Sequence, residues 1–134
     1  MSKTKTFVDA SVLIAAFRGK DDICQKAMEV IEDNDREFVV SDYLKLELIP
    51  KPTFFKNEEE LLFMQGFIDN ASTYVHANSL ITEQAIALAC RYGLSAIDAL
   101  HAEAAIETSA DVLVTVEKPN KPFYRIKEIK IVSI

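Results

Sequence analysis

Short runs of β-branched and aromatic residues recur along the chain and predict the strands of a sheet. The first run ends in an acidic residue, and the clearest of them is Val112 to Val116. The last run alternates apolar and charged positions, which is typical of an edge strand. The predicted strands are residues 5–9, 37–40, 72–76, 112–116 and 126–134.

Between these runs, apolar residues recur at the spacing of amphipathic helices. Ser41 and Ser95 stand at expected N-cap positions, and Gly93 stands where a helix would close. After an apolar segment at 12–17, the predicted helices are 21–31, 42–49, a helix that begins at residue 58, 80–92 and 96–107. The proline-containing stretches 50–53 and 117–122 are predicted to be loops.

Strands and helices alternate from one end of the chain to the other. This alternation favours an α/β fold, a three-layer α/β/α sandwich with a mostly parallel central sheet. The chain has 134 residues and contains neither an internal repeat nor an interdomain linker. We therefore predict a single domain over residues 1–134.

The composition, 49% hydrophobic and 27% charged, is that of an ordinary globular protein. No apolar run is long enough to cross a bilayer and no signal region precedes the first strand, so we expect a cytoplasmic protein without a membrane segment. A net charge of −6 argues against a broad basic surface for duplex binding, but not against a nuclease with catalytic acids. Cys24 and Cys90 have no metal-binding spacing, so structural zinc is not expected.

Four acidic residues stand where strands end or helices begin. Asp9 ends the first strand, Glu117 follows the fourth, Glu47 lies on the helix after the second strand, and Asp98 lies in the first turn of a helix. Functional sites of open α/β sheets gather beyond the carboxyl ends of the strands. We therefore expect these four side chains to converge on one place.

Carboxylates that converge in this way repel one another, by about 4 kcal/mol per pair at a separation of about 4 Å in a partly screened site. A divalent cation relieves the repulsion. Oxygen ligands without His or Cys select Mg²⁺ or Mn²⁺, and such an ion can activate water and neutralise charge on a phosphate. The pattern thus indicates metal-dependent hydrolysis.

Each of the four acids also has a structural interpretation. Asp9 could cap the following helix, and Asp98 could complete a capping box with Ser95. Glu47 could belong to a polar surface stripe, although its apolar neighbours make an idle charge there costly. Glu117 begins a loop, where solvated acids are common.

Four segments carry the acids and their neighbours in a characteristic order, namely Phe7–Ile14, Ser41–Glu47, Leu94–His101 and Val112–Thr115. In order and spacing they resemble the PIN domain, most closely the VapC-like toxin ribonucleases of bacterial and archaeal toxin–antitoxin pairs. The resemblance extends over nearly the whole chain.

The resemblance implies a parallel sheet flanked by helices and a Mg²⁺- or Mn²⁺-dependent endonuclease of single-stranded RNA. It implies metal ligands at Asp9, Glu47 and Asp98. The family usually has Asp at the fourth position, where this chain has Glu117, so direct ligation and ligation through water both stay open there. The resemblance further implies a cognate antitoxin and a homodimer.

Several residues near the acids are candidates for binding substrate. Ser11 and Thr115 could bind a ligand water or a phosphate, with capping or packing as the alternative. Lys118, Lys121 and Arg18 could contact phosphates, although loop cations are more often simply solvated.

Two further polar residues are predicted to lie outside the site. His101, one turn after Asp98, is interpreted as a solvated or packed histidine. Asp111 precedes its strand, so we expect it at the opposite edge of the sheet.

Other functional classes fit less well. A nucleotide-binding Rossmann protein needs a glycine-rich loop after the first strand, and Gly19, Gly66 and Gly93 supply none. A haloacid-dehalogenase-like phosphatase needs a second Asp where Ser11 stands, and receiver domains carry their acids in another order. The remaining alternative is a catalytically inactive PIN fold that serves as a protein- or RNA-binding module.

Overall fold

The computed structural model describes residues 2–134, and its centre is a five-stranded sheet in the order β3-β2-β1-β4-β5. Every pair of neighbouring strands is parallel. The strands are β1 (Thr4–Val8), β2 (Arg36–Ser41), β3 (Thr73–Val75), β4 (Val112–Thr115) and β5 (Lys130–Ser133). The predicted α/β class with a parallel sheet is confirmed, and β5 lies at an edge as its alternating pattern indicated.

Helices connect the strands and cover the sheet. They are α1 (Ala10–Arg18), α2 (Asp21–Ile31), α3 (Asp42–Leu48), α4 (Pro50–Phe54), α5 (Glu58–Asp69), α6 (Ser79–Tyr92) and α7 (Ala96–Glu107). Among the residues that the structure describes, none of these helices is long and apolar enough to cross a membrane.

Both faces of the sheet are buried, which makes the fold a three-layer α/β/α sandwich. Phe7 and Val8 are adjacent in β1, and adjacent strand residues point to opposite faces. Both are fully buried, as are Leu113 and Val114 in β4. Helices must therefore pack on both sides of the sheet.

The helix ends follow the local signals in the sequence. The Ser41 hydroxyl accepts a hydrogen bond from the Leu44 N–H at 3.1 Å, which caps α3 as predicted. Gly93 closes α6 in the left-handed conformation that glycine tolerates best, with φ of 67°. Because Ser41 also ends β2, its cap places the first turn of α3 at the carboxyl edge of the sheet.

The first proline-containing stretch is not a loop, contrary to the sequence prediction, because Pro50–Phe54 form α4. The second stretch, 117–122, is a loop as predicted, and only its last residue belongs to a short 3₁₀ helix, Pro122–Arg125. Proline is accommodated at the first position of a helix, because the N–H that it lacks would have no partner within the helix anyway.

The strand order creates a switch point between β1 and β4. From β1 the chain moves to β2 and β3 on one side, and it later returns to β4 and β5 on the other. The Asp9 N–H donates to the Val114 carbonyl at 3.1 Å, which continues the ladder between β1 and β4 by one residue. Ligand sites of open α/β sheets lie outside the strand ends at such a point, and Asp9 stands there.

Candidate active site

Asp9 is the most deeply placed acid of the site, with 6% of the residue exposed. Its two carboxylate oxygens accept hydrogen bonds from different hydroxyl groups. The Ser11 hydroxyl donates to Oδ1, and the Thr115 hydroxyl donates to Oδ2 at 2.7 Å. Asp9 occupies the N-cap position of α1, but its side chain makes no capping hydrogen bond. Its interaction with the helix backbone is limited to the Val12 N–H, which contributes least to lowering the pKa of Asp9, so capping is not its main role.

Burial raises the pKa of the Asp9 carboxyl above its ordinary value, because a charge is disfavoured away from water. The hydrogen bonds from Ser11 and Thr115 stabilise the charged form and offset part of this increase. Asp9 is thus a buried carboxylate held in a fixed orientation by neutral donors.

Ser11 and Thr115 also organise the chain after β4. The Val116 N–H donates to the Ser11 hydroxyl at 3.3 Å, and the Glu117 N–H donates to the Thr115 hydroxyl at 3.1 Å. Each hydroxyl therefore donates to Asp9 and accepts from the loop backbone. They contact the predicted ligand Asp9, and their contact with a substrate stays a prediction.

Asp98 and its N-cap form half of the predicted capping box. The Ser95 hydroxyl accepts from the Asp98 N–H at 3.3 Å. The reciprocal bond from the Ser95 N–H to the Asp98 carboxylate does not form between these two described residues, and the carboxylate interacts with the Ser95 hydroxyl instead. Partial burial raises the pKa of Asp98, the charge of Glu47 raises it further, and Ser95 and His101 act in the opposite direction.

Glu117 is half-buried in the loop after β4, beside the other acids. Burial raises its pKa most, and the charges of Asp98 and Asp9 raise it further, whereas Lys121 lowers it. Glu117 is therefore not a solvated loop acid isolated from the site. Its carboxylate interacts with the charges of two acids that are distant in sequence.

Glu47 enters the site from α3 with 34% of its side chain exposed. Its Oε1 atom is hydrogen-bonded to Nε2 of His101. The interpretation as an idle surface stripe is therefore wrong, because Glu47 has a buried partner and its charge acts on Asp98.

His101 is the residue of this site that the sequence interpretation missed. It is packed as predicted, with 1% exposed, but it also contacts a predicted ligand. Its spacing from Asp98 is the signal that could have identified it, because residues three apart share one face of a helix.

The predicted cationic contacts differ in their surroundings. Lys118 and Lys121 are exposed, and Lys121 is close enough to affect Glu117. Arg18 instead forms a two-bond ion pair with the buried carboxylate of Glu60 through Nε and Nη2. This long-range partner, which the sequence did not reveal, gives Arg18 a structural role, and its contact with a phosphate stays a prediction.

Asp111 lies at the opposite edge of the sheet, as predicted. Its carboxylate accepts from the Lys5 N–H at 2.7 Å, and its own N–H donates to the Lys5 carbonyl at 2.7 Å. These bonds join the starts of β1 and β4, so Asp111 has a structural role.

The donor set of the site suits a hard divalent cation. The acids supply only oxygen ligands. Burial raises the pKa of Asp9, Asp98 and Glu117, and repulsion by a neighbouring acid raises the pKa of Asp98 and Glu117 further. Within residues 2–134, however, no three His, Cys, Asp or Glu side chains stand close enough together to share one ion. Binding an ion here therefore requires the acidic side chains to approach one another, and the bond between Glu47 and His101 can persist because it uses only Oε1.

Comparison with known proteins adds the family. The PIN domain profile matches residues 6–128. No functionally curated protein has a significantly similar sequence. The fold is similar to that of several solved structures, all at low sequence identity.

Three such structures cover nearly the whole chain. VapBC2 from Rickettsia felis, bound to a DNA fragment from its promoter, has a TM-score of 0.73 at 18% identity and covers 97% of this chain and 98% of its own. A toxin–antitoxin complex from Klebsiella pneumoniae has a TM-score of 0.73 at 20% identity, and the match covers 96% of each chain. DNA-bound VapBC from Salmonella typhimurium has a TM-score of 0.70 at 22% identity, and the match covers 99% of this chain and 98% of its own. With its sheet order, its acid-lined switch point and the profile match over most of its length, this chain belongs to the PIN domain family.

Proposed function

We propose that this protein is a metal-dependent endoribonuclease that hydrolyses phosphodiester bonds of single-stranded RNA, as the toxin of a type II toxin–antitoxin pair. PIN domain nucleases generally use divalent metal ions. The observation that carries the proposal is the buried Asp9 carboxylate at the switch point, joined through Thr115 to the loop that carries Glu117, in a chain of the PIN domain family. The proposed enzyme is one domain over residues 1–134, and it acts in the cytoplasm.

The proposed metal ligands are Asp9, Glu47, Asp98 and Glu117, acting directly or through water, and the proposed ion is Mg²⁺ or Mn²⁺. Hard oxygen donors with no thiolate among them favour these ions. When bound, the ion supplies positive charge to a phosphate and lowers the pKa of a water molecule.

The protein's own residues prepare the site for that chemistry. Ser11 and Thr115 hold Asp9 in one orientation and tie it to the loop that carries Glu117. Lys118 and Lys121 are exposed on the same loop, where they can contact RNA phosphates as mobile point charges. Catalysis then depends on positioning and on charge, which are the main means of promoting phosphoryl transfer.

A cleavage assay tests the proposal directly. Purified protein is incubated with unstructured and structured RNA in Mn²⁺ or Mg²⁺, with and without EDTA. We expect metal-dependent cleavage of the unstructured RNA and its loss in Asp9→Asn. The matched control is Asp69→Asn, since Asp69 is an exposed acid at the end of α5, just before β3 begins and hence at the opposite edge.

The result also decides between the enzyme and its alternative. If wild-type protein binds RNA or a partner protein but cleaves no RNA in either metal, the chain is a PIN-fold binding module. If Asp9→Asn cleaves as fast as wild type, Asp9 is not part of the active site.

The proposed protein partners are a cognate antitoxin and a second copy of the chain. The structures similar to this fold include toxin–antitoxin complexes. Helices α3, α4 and α5 pack together, and they carry Leu46, Phe54, Phe55 and Leu62 with most of each residue exposed. The other apolar residues at 44–49 and 61–68, on α3 and α5, include four that are buried in the core, namely Leu44, Leu48, Met64 and Ile68. The four exposed side chains are the better candidates for a protein interface.

A further inference from the structure

His101 lies between the acids of the candidate site and the core of the sheet. Only 1% of His101 is exposed, and its ring packs against the ring of Phe7 with the ring centroids 5.3 Å apart. A histidine buried in this way has a fixed ring orientation. The orientation directs Nε2 to Glu47 Oε1.

The hydrogen-bonding pattern assigns the roles of the two ring nitrogens. A carboxylate oxygen can only accept, so the Nε2–H of His101 donates to Glu47. Nδ1 is buried and has no partner among the described residues. The bond to Glu47 is therefore the one hydrogen bond that the ring makes with the described residues. An unpaired buried nitrogen is unusual, since buried polar atoms are normally paired.

His101 also connects two helices that carry predicted ligands. It follows Asp98 by three positions on α7, so both side chains lie on one face of that helix. Glu47 is on α3, which packs against α7. The hydrogen bond thus sets the position of an α3 ligand relative to an α7 ligand.

Glu47 lacks the hydroxyl donors that hold Asp9, and His101 is the hydrogen-bond partner of its side chain. The Glu47 side chain is long, about a third exposed at 34%, and its neighbours Lys45 and Leu46 are exposed. Without a partner, the Glu47 side chain would sample several rotamers, and binding an ion would then cost the conformational entropy of fixing one of them. The bond to His101 occupies Oε1 and leaves Oε2 available for an ion.

We propose that His101 is a positioning residue that holds Glu47 as a metal ligand through the Nε2–H···Oε1 hydrogen bond. The inference rests on the proposed metal site, and it adds a supporting residue to it. Partners of this kind fix ligand orientation, and their loss typically weakens metal affinity about ten- to a hundredfold.

The test compares two variants of matched size. His101→Gln retains an N–H donor on a side chain that can reach Glu47, whereas His101→Met has a similar length and no donor. Mn²⁺ binding to each full-length protein is measured by the EPR signal of the free ion, without RNA. Thermal unfolding in EDTA establishes that each variant is folded.

We expect His101→Met to bind Mn²⁺ about tenfold or more weakly than wild type, and His101→Gln to recover most of the affinity. In a Glu47→Gln background, His101→Met should cause little further loss, because the residue acts through Glu47. Equal affinities of His101→Met and wild type would overturn the inference while leaving the metal site intact. Failure of the wild-type protein to bind Mn²⁺ would instead overturn the proposed metal site, and the inference with it.

A measurement on the wild-type protein keeps the inference testable if the variants do not fold. The ring nitrogens of ¹⁵N-histidine-labelled protein are followed by NMR as Mg²⁺ is added. We expect the Nε2–H proton of His101 to remain hydrogen-bonded at saturating Mg²⁺. Loss of that proton's hydrogen-bonded signal on saturation would overturn the inference.

Discussion

The Thr115 hydroxyl donates a hydrogen bond to the Asp9 carboxylate at 2.7 Å, although the two residues are 106 positions apart in the chain. The bond crosses from the end of β4 to the end of β1, the two strands that flank the switch point. Together with Ser11 it fixes the buried acid of the candidate site.

Thr115→Val should destabilise the protein by about 1–3 kcal/mol at neutral pH, because the buried Asp9 carboxylate loses one donor while the side-chain shape is kept. Thr115→Ser, which keeps the hydroxyl and loses a methyl, is the matched control and should cost less. Urea unfolding measures both. Since the bond favours the ionised form of Asp9, the loss in Thr115→Val should shrink at acidic pH. A loss that is the same at all pH values would contradict the assignment.

The raised pKa values of Asp9, Asp98 and Glu117 predict a pH dependence of stability in EDTA. For an acid whose pKa is higher in the folded than in the unfolded state, the folded state binds more protons between the two values. Its contribution to the free energy of unfolding is therefore largest below the pKa of the unfolded state, about 4, and is lost as pH rises through the pKa of the folded state. Relative to Asp98→Asn, the wild-type protein should lose stability as pH rises from about 4 to about 7, measured by Tm. A difference that does not change with pH would contradict this prediction.

A divalent ion should reverse that loss. Mn²⁺ at a hundred times its Kd should raise the free energy of unfolding by about 2.7 kcal/mol, because it binds only the folded site. Asp9→Asn should be at least as stable as wild type in EDTA, since a buried charge has been removed, but it should gain little from Mn²⁺. Asp69→Asn should gain as much as wild type. The comparison is made by thermal unfolding, and an equal Mn²⁺ gain in Asp9→Asn would exclude Asp9 as a ligand.

The Arg18–Glu60 pair predicts a stability effect without a catalytic one. Arg18→Met leaves the buried Glu60 carboxylate without its partner, so the protein should become less stable. Glu60→Gln should cost less, and the double variant should cost less than the sum of the two. The rate of RNA cleavage per folded molecule should stay near the wild-type value. A large fall in that rate with stability retained would support Arg18 as a substrate contact.

The exposed phenylalanines of α4 predict a partner interface. Phe54 is 78% exposed and Phe55 is 72% exposed, so changing both to Ser should leave Tm nearly unchanged. The same change should weaken binding to the antitoxin proposed as partner, measured by calorimetry. Ile86→Ser, on the separate helix α6, is the control for loss of an exposed apolar side chain. Equal binding by the double variant would place the interface elsewhere.

Local signals in the sequence predicted much of the secondary structure. Ser41, Ser95 and Gly93 end or begin helices where expected, because a cap depends on residues only a few positions apart. The stretch after Ile49 was predicted wrongly as a loop, since proline both stops a preceding helix and starts a new one. The bounds of β5 were also too wide, because its first four predicted residues precede the strand at Lys130.

The candidate acids were identified from chemistry and resemblance, but their partners were not. Arg18 appeared free in the sequence because Glu60, its partner, is 42 positions away. His101 appeared to be only a packed histidine, because Glu47 lies on another helix, 54 positions earlier. Contacts at such separations depend on how helices pack on the sheet, and no local pattern encodes them.

The sequence by itself determined most of the element types, the parallel α/β class and the placement of acids after strands, because each depends on short-range periodicity, capping and strand order along the chain. Only the tertiary structure decided the sheet order that puts β4 beside β1, and with it the hydroxyl of Thr115 on Asp9 and the ring of His101 on Glu47. These bonds depend on the free energy of packing distant elements around one core. A one-residue shift of strand register would remove them without changing any local pattern.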